Sequence, residues 1–326
     1  MIYRSLLSLL SPSGDAARLS VLIFHRVLPE PDPLFPDEMH ARRFDSVCDW
    51  LSEWFNVLPL DAAVHRLKAG TLPSRAACIT FDDGYADNFH VALPILQRHG
   101  LVATFFVATG YLDGGRMWND SIIESVRACA MPELDLSSLG LGSHALDSRQ
   151  AQRAAIASLI DRIKYQPLAE RVAVTDRIAM LAGVELPRDL MMTSDEVKNM
   201  RQAGMQIGAH TQSHPILAGL SDTHARSEIK ASQDFLEGLL GERVSLFAYP
   251  NGKPGRDYTP QSVEVVRRLG FDAAVSTQWG VTGQSDDTFQ IRRFTPWDLD
   301  KFRFGLRMVA NLSRGWRPSR SSPQLT

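Results

Sequence analysis

Short, uninterrupted apolar runs alternate with longer amphipathic stretches along this chain. Buried parallel strands separated by helices give that pattern. Residues 21–24 form the first run, which ends in His25-Arg26 and gives way to a loop holding Pro29, Pro31, Pro33 and Pro36. Between 44 and 55, Phe44, Val47, Trp50, Leu51 and Trp54 share one helical face. Residues 76–81 predict a second strand, with Asp82-Asp83-Gly84 at its C-terminal end. A helix over 93–99 closes at Gly100, and 102–108 predict a third strand. The alternation resumes at Thr193 and Glu196, a capping box opening a helix that ends near Gly204. Strands follow at 205–209, leading into His210, at 245–248, before Tyr249-Pro250, and at 273–276. Helices over 226–240 and 262–269 separate them. Such order predicts a parallel α/β architecture. Residues 117–190 break it with helical patterns at 122–129, 150–163 and 168–181, read as an α-helical insertion.

Composition narrows the function classes. The chain has 326 residues, 44% hydrophobic and 22% charged, with a net charge of −2. That balance describes a globular protein and excludes nucleic-acid binding by bulk electrostatics. The basic cluster from Arg314 to Arg320 is short and mixed with Ser and Pro, so it reads as a solvated tail. Cys48, Cys78 and Cys129 are odd in number and lack CxxC spacing, which argues against a disulfide framework or a zinc knuckle. The apolar stretch Leu6 to Leu10 is broken by Ser11-Pro12-Ser13-Gly14, too soon for a secretory signal. No segment approaches the ~20 apolar residues that span a bilayer. These features predict a cytoplasmic protein, with a weak peripheral membrane contact at the N-terminus as the alternative.

Two motifs carry chemistry. Thr80-Phe81-Asp82-Asp83-Gly84 sets two carboxylates side by side after a buried strand, a costly arrangement without a cation. Adjacent side chains on extended backbone point apart, so a turn at Gly84 must re-aim one of them. His210-Thr211-Gln212-Ser213-His214-Pro215 sets two imidazoles four residues apart after another strand. Either motif alone is as readily a surface turn or a pair of ordinary histidines. Together, at strand C-termini, they supply one carboxylate and two imidazoles, the ligand set of an open catalytic zinc site, with one Asp left for proton transfer.

TFDDG at 80–84 with HTQSHP at 210–215 resembles the first two motifs of the polysaccharide deacetylases, the NodB-homology family (carbohydrate esterase family 4). LIFHRV at 22–27 resembles the opening strand of exopolysaccharide deacetylases, and Trp118-Asn119-Asp120 a subgroup tied to exopolysaccharide export. The resemblance implies a distorted (β/α)7 barrel over 18–300, with the insertion at about 117–190. An extension at 1–17 would precede the barrel, and a C-terminal helix and disordered basic tail at 301–326 would follow. It implies Asp82 as general base and Asp83, His210 and His214 as ligands of one divalent metal ion, zinc first, with cobalt, nickel or manganese as alternatives. The implied substrate is an acetylated carbohydrate.

The third family motif, Arg-x-Pro-aromatic-Gly, matches Ala248-Tyr249-Pro250-Asn251-Gly252. Ala248 stands where the family has Arg, and Asn251 where it has an aromatic, so Tyr249 and Asn251 are expected at the oxyanion chiefly through backbone. The family's Leu-x-His acid is absent, because no histidine follows His224. His25 is the expected acid or its orienter. Trp118, Trp279 and Trp297 are candidate sugar-stacking faces, though each alone is more readily core packing. Arg292, Arg293 and Asp298 are candidates to orient Asp82. Two readings compete: hydrolysis of a small amide at the same centre, and a catalytically impaired carbohydrate-binding homologue.

Overall fold

A computed structural model describes residues 2–313; the basic tail expected beyond 313 lies outside the described residues. Helix α1 (Ile2–Leu10) precedes β1 (Ser20–Phe24), α2 (Ala41–Trp54), β2 (Asn56–Val57), α3 (Leu60–Lys68) and β3 (Ala76–Phe81). Helix α4 (Leu93–Arg98) and β4 (Ala103–Val107) lead to an excursion made of α5 (Trp118–Ala128), β5 (Glu133–Leu136), β6 (Gly142–Ala145), α6 (Arg149–Ile163) and α7 (Leu168–Ala182). The chain re-enters through α8 (Ser194–Gln202), β7 (Gln206–Ala209), α9 (Asp222–Leu240), β8 (Leu246–Ala248), α10 (Pro260–Arg268) and β9 (Ala273–Val275), and ends in α11 (Lys301–Ser313).

Seven parallel strands make one sheet in the order β1-β3-β4-β7-β8-β9, with β2 pairing to the start of β3. Every residue of β1 and β3 is buried, because helices cover one face and the opposite wall fills the other. Segment 291–294 closes the sheet. Ile291 pairs with Val275 on one side and Phe294 with Leu22 on the other, so the gap between β9 and β1 is bridged. The expected distorted (β/α)7 barrel is therefore present, and its strand C-termini gather on one rim. Between the sheet and α2 lie stacked rings, Phe81 against Phe105 at 4.7 Å and Phe24 against Phe81 at 5.2 Å, with Phe44 of α2 edge-on to Phe24 and Phe81.

Residues 117–190 pack around a core of their own, built from Ile122, Leu134, Leu136, Ile156, Leu159 and Ile178. This region is not wholly helical. Glu133–Leu136 and Gly142–Ala145 pair as an antiparallel hairpin. The strict alternation of Glu133, Leu134, Asp135 and Leu136, exposed and buried in turn, is the period of a one-sided strand. The excursion is tied to the barrel at its roots, where Tyr85 bridges Met191 and Ala86 donates to the Leu190 carbonyl at 2.9 Å. A bidentate pair from Arg127 to Asp32, at 2.9 and 2.6 Å, fixes its other side to the proline-rich loop.

Candidate active site

Four non-glycine residues with left-handed backbone mark the rim: Asp83 (φ 76°), Thr211 (φ 64°), His214 (φ 50°) and Asn251 (φ 57°). Such angles cost energy and persist only where surrounding contacts impose them. Asp83 makes the turn itself, together with Gly84 (φ 91°), so the two adjacent carboxylates leave β3 in different directions. Gly84 has little room for a side chain: a Cβ there would meet Val107 at 3.1 Å.

Asp83 Oδ1 lies 3.4 Å from His210 Nε2 and 3.4 Å from His214 Nε2. All three ligand atoms fall within 4.8 Å of one another. At 3.4 Å the contacts are too long to satisfy the carboxylate, and this buried oxygen has no hydrogen-bond donor. A buried acceptor facing two imidazole nitrogens is what a cation would satisfy. The tautomer fits as well, since His210 Nδ1 sits 2.8 Å from the Ala248 carbonyl. Donating there leaves Nε2 with its lone pair toward Asp83. Burial pushes His214 down to about 3, so it stays neutral. For His210 burial acts the same way, but the nearby carboxylates of Asp83 and Asp82 outweigh it and raise its pKa. The residues present fit a divalent cation.

Asp82 turns the other way and is 2% exposed. Arg293 grips both of its oxygens, Nη1 to Oδ1 at 2.7 Å and Nη2 to Oδ2 at 2.6 Å. Arg293 is itself 1% exposed, and its Nε donates to the Ser276 carbonyl at 2.9 Å. Burial alone would raise the Asp82 pKa, yet Arg293, His210 and His25 together bring it below the ordinary carboxylate value. Arg293 thus selects itself among the three expected orienters. Arg292 pairs with Asp286 instead, and Asp298 with Arg307.

His25 is exposed at the end of β1 and close enough for its charge to act on Asp82, Asp83 and His214. Its segment is clamped from the turn after Gly84. Asn88 Nδ2 donates to the His25 carbonyl at 2.8 Å, while Asp87 accepts from Arg26 Nε at 2.7 Å and from the Val27 N–H at 2.9 Å. Neither Asp87 nor Asn88 was singled out by the sequence motifs, although both stand within six residues of Asp82.

The family model described as polysaccharide deacetylase matches residues 69–274, which contain the Asp83, His210 and His214 cluster. This chain belongs to the polysaccharide deacetylase family. It is 19% identical to YxkH of Bacillus subtilis (strain 168) over 279 residues, 85% of this chain and 71% of that protein. The poly-beta-1,6-N-acetyl-D-glucosamine N-deacetylase of Staphylococcus aureus (strain MSSA476) is 24% identical over 202 residues, 61% of this chain and 69% of that one. The solved structure of the Streptococcus pyogenes deacetylase PplD in complex with acetate superposes with a TM-score of 0.59 at 19% identity, covering 93% of this chain and 99% of that one.

Not every residue expected at the polysaccharide deacetylase centre faces it. The Tyr249 side chain points into the core, stacked on Tyr258 at 3.9 Å with its hydroxyl on the Phe289 carbonyl. Only its backbone reaches the rim. Asn251 sits half-buried in the next turn, in left-handed backbone (φ 57°), its carbonyl held by Thr277 Oγ1 at 2.7 Å. Trp118 is a correction: it is buried in the insertion core, with Arg171 over its ring at 5.2 Å, and offers no open face to a sugar. The start of α5 at Trp118 turns it inward. Trp279 and Trp297 are half-exposed and meet edge to face at 4.9 Å beside Phe294, one residue from Arg293.

Asp120, also on α5, is buried against Tyr85, and its Oδ2 has no hydrogen-bond partner. Burial raises its pKa to about 7; Arg26 and Tyr85 oppose the shift, and Asp83 and Glu124 add to it. The unfolded carboxyl titrates near 4. Between about pH 4 and 7 the folded protein therefore holds an extra proton here, and this group's contribution to stability is lost as pH rises through that window. Asp120→Asn is expected to flatten that slope. In thermal melts the difference from wild type should be smallest at pH 4 and below, and grow to as much as about 4 kcal/mol of stability in favour of the variant by pH 8. Parallel pH dependence of the two proteins would refute the assignment.

Proposed function

We propose that this chain is a metal-dependent N-deacetylase of an N-acetylated polysaccharide or oligosaccharide, most simply one built from N-acetylglucosamine. The observation that carries the reading is the buried Asp83 oxygen without a donor, 3.4 Å from two imidazole nitrogens, with Asp82 held separately alongside. The name of the Staphylococcus aureus relative supports the sugar, and one carboxylate with two imidazoles suits zinc. A divalent cation held by Asp83, His210 and His214 would supply Lewis acidity toward a water and an acetyl carbonyl.

The chain's own groups do the rest. Asp82, kept ionised and oriented by Arg293, takes a proton from the attacking water as its oxygen bonds to the carbonyl carbon. The Asn251 N–H faces the oxyanion, a role that needs no particular side chain; Pro250 has no N–H, and those of Tyr249 and Gly252 are given to the Val275 and Pro250 carbonyls. His25, exposed at the rim, gives a proton to the sugar nitrogen as the C–N bond breaks, leaving acetate and a free amine. This arrangement replaces the two family features the sequence lacks. Arg293 stands in for the missing Arg of the third motif, and His25 for the Leu-x-His acid.

Acetate release from a panel of N-acetylglucosamine polymers tests the reading, with Asp82→Asn as the blank. Release from polymers by wild type alone is expected; turnover confined to small monomeric amides would favour the small-amide hydrolase instead. His25→Ala is expected to reduce kcat by about 10²-fold and to remove one limb of the pH–rate profile. Full turnover with an unchanged profile would take the acid role from His25.

A further inference from the structure

Half of the large apolar side chains exposed among the described residues lie in two short segments. They are Leu6 (42%) and Leu9 (78%) on α1, and Trp297 (47%), Leu299 (71%), Phe302 (64%) and Leu306 (49%) on or just before α11. Single exposed apolar residues are ordinary, whereas a concentration of them marks a contact surface. The two helices form one unit. Tyr3 donates its hydroxyl to the Phe302 carbonyl at 3.1 Å, and its ring lies so near Gly305 that a Cβ there would meet it at 2.7 Å. Leu6 is one turn on from Tyr3 and Leu306 one turn on from Phe302, so the exposed apolar groups of both helices flank this seam.

The inner faces are fully used. Leu7, Phe304, Met308 and Leu312 are buried, Phe304 packing on Trp50 at 5.2 Å. The outward Leu and Phe residues are therefore surplus to the fold. They make two rigid amphipathic helices whose apolar edges face solvent.

Charge points to the occupant. Residues 1–10 carry one Arg and no carboxylate, and residues 297–326 carry six basic residues against two acidic ones, on a chain whose net charge is −2. All three cations of α11 are paired, Lys301 with Glu53, Arg303 with Asp300 and Arg307 with Asp298, but the first two pairs are exposed and weak. Among the described residues Arg4 makes no ion pair, and Arg314, Arg317 and Arg320 follow in the sequence. A second copy docked by twofold symmetry would set this cationic region against itself. An anionic lipid surface would not. Leu and Phe entering the headgroup boundary with Arg and Lys beside them is the chemistry of peripheral amphipathic helices.

We propose that α1 and α11 together form a docking surface for an anionic lipid membrane. At one end of this surface Trp297 meets Trp279 edge to face, and Trp279 in turn packs on the buried Phe294, next to Arg293. Docking does not depend on which acyl group or sugar the centre accepts.

The test is co-sedimentation of the full chain with phosphatidylcholine vesicles, with and without phosphatidylglycerol, at low and high salt. Wild type is expected to bind the anionic vesicles about tenfold more tightly, with the difference shrinking in high salt. Phe302→Glu with Leu306→Glu should weaken that binding by about tenfold or more. Should this double variant melt early, Leu9→Glu on the other helix makes the same test. Equal binding to both vesicle types, or variants that bind as wild type does, would overturn the proposal. So would a dimer in solution that the same substitutions dissociate, since the face would then belong to a second copy.

Discussion

Asp82→Asn is expected to lower kcat by about 10²–10⁴ while metal affinity stays near wild type. The substitution keeps the shape and removes the ability to take a proton. Asp83, His210 and His214 are untouched, and Asp82 contributes no atom to that cluster. Stability should also fall, because Arg293 at 1% exposure would face a neutral amide where it now grips two carboxylate oxygens. A buried cation stripped of its partner is costly. Steady-state kinetics alongside calorimetric metal titration separate the two effects. Loss of metal affinity in step with turnover would place Asp82 among the ligands and leave the base unassigned.

Arg293→Met should produce the largest loss of stability, on the order of 3–5 kcal/mol. It leaves the Asp82 carboxylate buried without its guanidinium, and removes the bonds from Arg293 to the Ser276 carbonyl and the Thr80 hydroxyl. Because Ser276 follows β9 and Thr80 lies on β3, those bonds also help hold the closing segment in place. A drop in melting temperature of roughly 10 °C is expected. Combining Asp82→Asn with Arg293→Met should recover much of the stability and none of the turnover, since a neutral pair needs no counter-charge. If the double variant were as unstable as the sum of the singles, the ion pair would not be the origin of the effect.

Much of this is legible in the sequence. Buried strands announced themselves as unbroken apolar runs, and Thr193 with Glu196 does form a capping box at the start of α8. The two site motifs are local, each set within six residues, so their chemistry could be read from spacing. Residue type and position mark Arg293 as one of three candidates to orient Asp82 without separating it from Arg292 and Asp298. Its pairing with Asp82 spans 211 residues and depends on segment 291–294 closing the sheet, a tertiary event with no local signature. Tyr249 and Trp118 fail as site side chains for a related reason: residue type says that an aromatic is present, and only backbone direction says which way it faces. The β5–β6 hairpin was different. Its alternation was in the sequence, but four-residue strands are short beside the helices that flank them. The outward apolar residues of α1 and α11 carry the opposite lesson, because a helix reads as amphipathic whether or not its outer edge is covered.

The central claim is that a divalent cation on Asp83, His210 and His214 is required for acetyl removal from an N-acetylated sugar. The most direct measurement is acetate release from an N-acetylglucosamine oligomer by chelator-treated protein, followed as zinc is added back to wild type and to Asp83→Ala. Activity that vanishes on chelation and returns at one equivalent of zinc in wild type alone is the predicted result. Undiminished release after chelation, or equal recovery in Asp83→Ala, would contradict it.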